Sequence, residues 1–306
     1  MEWEVGIIEW LQNSTGGFAP ILGKVLSFVG GEIGLLLVVL IVMFCWKKET
    51  GKRLALILAS ANVWLPMIKA VVLRPRPYME YPDRVKALAL VEKDAAAQDV
   101  AAQGYSFPSM HSASVPALYF PLARETKKKW ALIAAIVLTV LVGIGRAAVG
   151  MHYPTDVLAV WLLGFFVLGI FALIERYIRR EWLRNLILLA SALPGIIFVR
   201  TQDYFTALGL LIGAVVAIPF ERKYVCFQDT RNIFAMILRT VGAFALYFVL
   251  NKVLKLPFHQ AFLDGGSLSA FLVRTIRYAV IMFVIMGVYR LAGNAVGMVF
   301  TLGSLA

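Results

Sequence analysis

The stretch Val157-Leu-Ala-Val-Trp-Leu-Leu-Gly-Phe-Phe-Val-Leu-Gly-Ile-Phe-Ala-Leu-Ile174 holds no charged residue and no proline, and it lies between Asp156 and Glu175. A helix needs about 20 mostly apolar residues to cross the hydrocarbon core of a bilayer. This run meets that length, and working outward from it finds the same pattern repeated. Candidate spans lie near 28–46, 54–73, 109–123, 130–145, 156–174, 186–199, 205–220, 233–250 and 268–289, of which 109–123 and 186–199 are short. The whole chain agrees: its 306 residues are 60% hydrophobic and only 16% charged, with a mean hydropathy of +0.79. A soluble domain of this size has too little interior to hide so much apolar side chain. The expected fold is therefore all-α, a polytopic membrane helix bundle of about nine spans.

Cys45 and Cys226 are the two cysteines, and three histidines complete the soft ligands, so a disulfide scaffold and a cysteine zinc module are excluded. No metal or cofactor is expected. The net charge of +12 would fit nucleic acid, but the basic residues sit between apolar runs. That placement points to membrane topology and anionic substrates instead. Residues 1–27 do not read as a secretory signal, because Glu2 and Glu4 stand where a basic start would be. Trp3 to Leu11 suit a short amphipathic helix lying on the membrane surface.

Lysine and arginine in short loops set the orientation. Lys47, Lys48, Lys52, Arg53, Arg124, Lys127 to Lys129, Arg176, Arg179, Arg180, Arg184, Arg222, Lys223, Arg231 and Arg290 fall on one side. The other side is poorer: Lys24, the five of the 74–107 loop, Arg146, Arg200, Lys252 and Lys255. The richer side is expected to face the cytoplasm, with the N-terminus outside and the C-terminus inside.

Three polar clusters then fall on the outer face. The first, Lys69-Ala-Val-Val-Leu-Arg74-Pro75-Arg76-Pro77, ends a span with a lysine inside apolar helix and two X-Pro steps that hold Arg76 extended. The second, Phe107-Pro108-Ser109-Met110-His111-Ser112, opens a span, where free N–H groups favour an anion. The third runs from Arg146 through His152 to Asp156, and the spacing of four lets the carboxylate hold the imidazole. Singly, each has a plain reading: a snorkelling lysine, a capped helix start, a loop histidine bonded to a helix-starting aspartate. Together they gather two imidazoles, three cations, a hydroxyl and a carboxylate, which suits a phosphate and the transfer of its phosphoryl group.

These segments resemble the type 2 phosphatidic acid phosphatase (PAP2) superfamily, whose motifs read K-x6-RP, PSGH and SR-x5-H-x3-D. Here they are Lys69-x6-Arg76-Pro77, Pro108-Ser109-Met110-His111 and Arg146-x5-His152-x3-Asp156. Met110 replaces the motif glycine and Gly145 the serine before the arginine. The resemblance covers residues 50–175, and the outward N-terminus with nine spans is similar to the glucose-6-phosphatase branch. It implies an integral membrane phosphatase with His152 as nucleophile, Asp156 as its orienting group and His111 as proton donor and acceptor. Lys69, Arg76, Arg146 and Ser109 would hold the phosphoryl oxygens, without a metal. The chain then divides into an amphipathic segment 1–27, a PAP2-like core 28–180, and an additional bundle 181–306 of about four spans. A site at the membrane boundary favours a lipid phosphate: phosphatidate, phosphatidylglycerophosphate or a polyprenyl diphosphate. A soluble phosphate ester, a phosphotransferase reaction, and a transporter that binds phosphate without cleaving it are the alternatives. A bacterial inner membrane is the expected location.

Overall fold

The computed structural model describes residues 2–92 and 94–289; Lys93 and Arg290, both used in the charge count, lie outside them. Among the described residues there are helices and no strands. The principal helices are α1 (Glu2–Thr15), α2 (Ala19–Gly30), α3 (Glu32–Ile41), α4 (Lys48–Val72), α5 (Pro77–Glu80) and α6 (Met110–Thr126). They continue with α7 (Lys129–Ala148), α8 (Pro154–Tyr177), α9 (Glu181–Ala192), α10 (Gln202–Phe220), α11 (Ile233–Val253) and α12 (Leu268–Phe283). The protein is an integral membrane helix bundle.

Seven helical stretches are long and apolar enough to cross a membrane: Lys48–Glu80, Lys129–Ala148, Pro154–Tyr177, Glu181–Phe198, Gln202–Val225, Ile233–Val253 and Leu268–Val288. An eighth is made if Glu2–Gly30 and Glu32–Trp46, bent by 45° at Gly31, count as one. The nine expected spans are thus matched by seven or eight. The difference lies at 109–123, where α6 has only 17 residues, carries Pro116 and Pro121, and has Arg124 in its last turn.

The chain forms two compact units, one of residues 1–35 and 65–174, the other of 36–64 and 175–306. In the first, α7 packs against α1, α2 and α6. Its apolar clusters include Leu26, Val115 and Val142; Leu65, Ala113 and Val160; Ala123, Ala131 and Ala135; and Val5, Ile8, Tyr78, Val85, Val149, Met151 and Tyr153. The last cluster gives α1 its place. Val5 and Ile8 turn inward, while Trp3, Ile7 and Trp10, on the opposite face, stay exposed. α1 thus docks on the protein with one face and leaves an aromatic face exposed, a pattern that suits a membrane boundary.

The two departures from the family pattern also find their reasons here. A Cβ on Gly145 would stand 2.5 Å from Leu26 Cδ1 on α2, so a serine there would require the Leu26 side chain to shift. Met110 packs against the Leu65–Ala113–Val160 cluster, inside the apolar layer. In the second unit α10 lies along α12. Gly209 and Gly213 make this possible: a Cβ on either would stand 2.4 Å from a carbonyl oxygen, that of Thr275 or Ala279. Small residues four apart allow such close backbone approach between membrane helices.

Candidate active site

After α4 ends, Leu73 turns the chain with φ +52° and Pro77 starts α5, so Arg76 is held extended at a helix entrance with φ −76° and ψ 152°. Its guanidinium is fixed by main-chain oxygens. Nε donates to Gln103 O (2.9 Å) and Gly104 O (3.0 Å), Nη2 to Gln103 O (2.6 Å), and Nη1 to Met151 O (3.2 Å). The long 74–107 loop is therefore tied down at this point. The Gln103 side chain adds to the knot, accepting from Val91 N–H at 2.8 Å and donating to Glu92 O at 2.7 Å. Gln12 of α1 bonds both backbone groups of Lys86, and Arg84 pairs with Glu2 and Glu9.

At the third cluster, α7 ends, the chain turns through Gly150 with φ +79°, and Pro154 opens α8. His152 thus sits in the turn, one residue before the helix cap. Spacing of four brings side chains together only within a helix, and here the helix begins too late for His152 to share a face with Asp156. The carboxylate is used differently. Asp156 Oδ2 accepts from Tyr153 N–H at 2.9 Å, closing the first turn in the manner of a capping box. The same oxygen accepts from the Ser106 hydroxyl, and Oδ1 pairs with Arg74 Nη1 at 2.6 Å. The imidazole is held by Ser106 instead: His152 Nδ1 lies 2.7 Å from its carbonyl oxygen. Ser106 therefore links the two, hydroxyl to carboxylate and carbonyl to imidazole. A carbonyl can only accept, so Nδ1 carries the proton and the lone pair of the neutral ring is on Nε2.

Arg74 closes the back of this network. It donates to Thr155 Oγ1 (2.8 Å), pairs with Glu4 Oε2 (3.0 Å), and stacks its guanidinium 3.8 Å from the centre of the Tyr153 ring. Glu4 also accepts from Thr155, and Tyr153 donates its hydroxyl proton to Glu80 at 2.6 Å. None of Ser106, Arg74, Glu4 and Tyr153 follows from the motifs as a site residue. Arg74 and Ser106 are neighbours of motif residues, and that adjacency is the one available signal. Glu4 has none, since an acid in an amphipathic helix reads as part of its wet face.

Ser109 caps α6: its Oγ accepts from Ser112 N–H at 3.4 Å and lies 2.9 Å from Ser112 Oγ. His111 follows in the first turn, with Nε2 3.4 Å from where a Cβ on Gly31 would be. The break between α2 and α3 thus leaves room beside that ring. Arg146, in the last turn of α7 and 6% exposed, donates from Nη1 to Ser27 Oγ at 2.8 Å. Its Nε–H has no hydrogen-bond partner. Burial first, then the charges of Arg146, Arg76 and Lys69 and the adjacent His111, hold the His152 imidazole well below its ordinary pKa of 6.5, so the ring is neutral. His152, His111, Lys69, Arg76 and Arg146 are in this way brought together, Asp156 joins them through Ser106, and Ser109 is bound up in its own helix start. Among the described residues no three His, Cys, Asp or Glu side chains are grouped so as to hold a metal ion.

Comparison with known proteins covers both units. Residues 50–180 match the family model described as the PAP2 superfamily, and residues 205–299 that described as the PAP2 superfamily phosphatase, transmembrane extension. An undecaprenyl-diphosphatase of Sulfolobus acidocaldarius is 43% identical over 63 residues, which is 21% of this chain and 30% of that protein. The chain thus spans under a third of the length of that curated relative. No solved structure matches it.

Proposed function

Because this chain belongs to the PAP2 superfamily, we propose that it is a membrane phosphatase that removes phosphate from a lipid phosphomonoester or diphosphate through a phosphohistidine on His152. One observation carries the reading. The Ser106 carbonyl holds the Nδ1–H of a neutral, buried His152, which leaves the Nε2 lone pair as a nucleophile among three cations.

In the first step Nε2 attacks phosphorus and the bond from phosphorus to the leaving oxygen breaks. Burial and the cations Arg146, Lys69 and Arg76 hold free His111 neutral, so it takes up its proton together with the anionic substrate, which offsets those charges, and gives it to that oxygen. The positive charge that appears on His152 is met by the Ser106 carbonyl, itself backed by Asp156 through the serine hydroxyl. Arg146, Arg76 and Lys69 stabilise the phosphoryl oxygens, as guanidinium and ammonium groups do in other phosphoryl transfers. In the second step His111 takes a proton from water, the water oxygen attacks phosphorus, and the P–N bond breaks to release inorganic phosphate.

The lipid class follows from the setting. We orient the chain with its N-terminus outside, its C-terminus in the cytoplasm and the site at the outer membrane boundary on the count of basic residues in the loops, and keep a bacterial inner membrane as the expected location. A polyprenyl diphosphate stands first among candidates, because the matching relative is named for that chemistry. Phosphate release by the purified protein tests the reading. Undecaprenyl diphosphate, phosphatidate and phosphatidylglycerophosphate should be hydrolysed well ahead of glucose 6-phosphate, with full rate in excess chelator and inhibition by orthovanadate. Preference for the sugar phosphate would move the protein to soluble esters. Saturable lipid binding without phosphate release would make it a binding or transport protein.

A further inference from the structure

Tyr78 stands in α5, two residues after Arg76, with its ring in the cluster formed by Val5, Ile8, Val85, Val149, Met151 and Tyr153. It is 2% exposed, and its hydroxyl has no hydrogen-bond partner. The charges that act on that hydroxyl are those of Arg76 and Arg146. Arg146 brings its own unpartnered group to the same place, the buried Nε–H. A buried donor left without an acceptor costs stability, and proteins keep one where a ligand or the chemistry uses it. Phenylalanine would fill the same apolar cluster without that cost. Two such donors, one neutral and one cationic, thus act on each other, and the Tyr78 ring packs with Met151 and Tyr153, the residues on either side of His152.

We propose that Tyr78 is a phosphate ligand, its hydroxyl donating a hydrogen bond to an oxygen of the bound phosphoryl group next to the Nε–H of Arg146. The assignment deepens the proposed function and rests on the reading of this cavity as a phosphate site. The phenol adds a donor without adding a fourth positive charge, so product phosphate is not held harder by charge alone.

Tyr78→Phe separates this role from a structural one, because it predicts opposite signs for stability and binding. In the purified full-length protein without phosphate, the melting temperature should stay the same or rise. The inhibition constant for orthovanadate, the dissociation constant for inorganic phosphate measured by calorimetry, and kcat/KM should each worsen by about ten- to a hundredfold, the worth of one hydrogen bond to a charged group. Tyr119→Phe, on α6 and outside the site, serves as the control and should change none of them. Unchanged orthovanadate and phosphate affinity in Tyr78→Phe overturns the assignment, even if the rate falls. If the wild-type protein releases no phosphate from any substrate, the proposed function fails while the calorimetric comparison still decides whether Tyr78 binds the anion.

Discussion

Both units bury cationic side chains, and they answer those charges in different ways. In the unit of residues 36–64 and 175–306, Lys52 is 4% exposed on its side chain and meets Glu221, 1% exposed, at 2.5 Å and Glu49 at 2.6 Å. Arg53 forks onto Glu175 at 2.6 and 2.7 Å, and Arg222 pairs with Glu181. At buried Lys52 acid meets base and the charge closes on itself, whereas Arg277, buried in the same unit, meets the oxygens of Asn251. In the unit of residues 1–35 and 65–174 the buried acids Glu4 and Asp156 both go to Arg74, at 3.0 and 2.6 Å. Arg146 gets a serine hydroxyl and keeps one N–H unpaired, and carbonyl oxygens fix the Arg76 guanidinium in place. A buried cation held without a full counter-charge is costly, and the cost is recovered when an anion binds. Lys52 therefore serves the fold, while Arg146, with a buried N–H to spare, suits the binding of an anion.

The largest effect should come from the nucleophile. His152→Ala should lower phosphate release by about 10⁴-fold or more, as loss of a nucleophile does elsewhere, while the protein still inserts and melts near the wild-type temperature. Substantial turnover by this variant would remove the phosphohistidine. The comparison itself is tested by a pair of substitutions that keep the apolar stem. Arg146→Met should cut kcat/KM by about 10²–10³-fold with little loss of melting temperature, since no carboxylate is orphaned. Lys52→Met should do the reverse: about 3–5 kcal/mol of stability lost, because Glu221 is left charged and buried, and an unchanged rate per folded molecule. Equal stability losses in the two variants would show that the units do not differ in the way described.

How much of this was legible beforehand depends on what each residue answers to. The helical fold was readable because bilayer crossing demands a long apolar run, as in Val157 to Ile174, and little else satisfies it. Gathering of His111, His152, Lys69, Arg76 and Arg146 was readable because motif order and spacing survive intact. The 109–123 segment was harder, since Pro116 and Pro121 leave hydropathy unchanged while the helix stays short. The link through Ser106 escaped notice because it runs through a main-chain carbonyl, a group every residue has. Glu4 lies in α1, ahead of the matched family region, and only tertiary packing turns it inward to Arg74 and Thr155. Local pattern carries no record of such a contact.

The smallest expected effect is also the sharpest check on the division of labour. Arg277 of α12 shares one trait with Arg146: it is 4% exposed and its Nε–H lacks a partner. Its Nη2 donates to Asn251 Oδ1 at 2.9 Å, and the neighbouring Arg274 donates to Gln202 at 2.6 Å and Thr206 at 3.4 Å. Yet no imidazole accompanies it among its recorded contacts, so it lacks anything that could act on phosphorus. An unpaired N–H on a buried arginine is then a necessary sign of the site and not a sufficient one; what distinguishes Arg146 is the company of His152, His111 and Tyr78. On that argument Arg277→Gln, which keeps a donor for Asn251 and removes the charge, should leave kcat/KM within about twofold and stability within about 1 kcal/mol. A tenfold fall in kcat/KM for a long-chain substrate, with orthovanadate affinity intact, would mean that Arg277 handles the lipid. The second unit would then be part of substrate binding, and the contrast drawn here would hold for the chemistry alone.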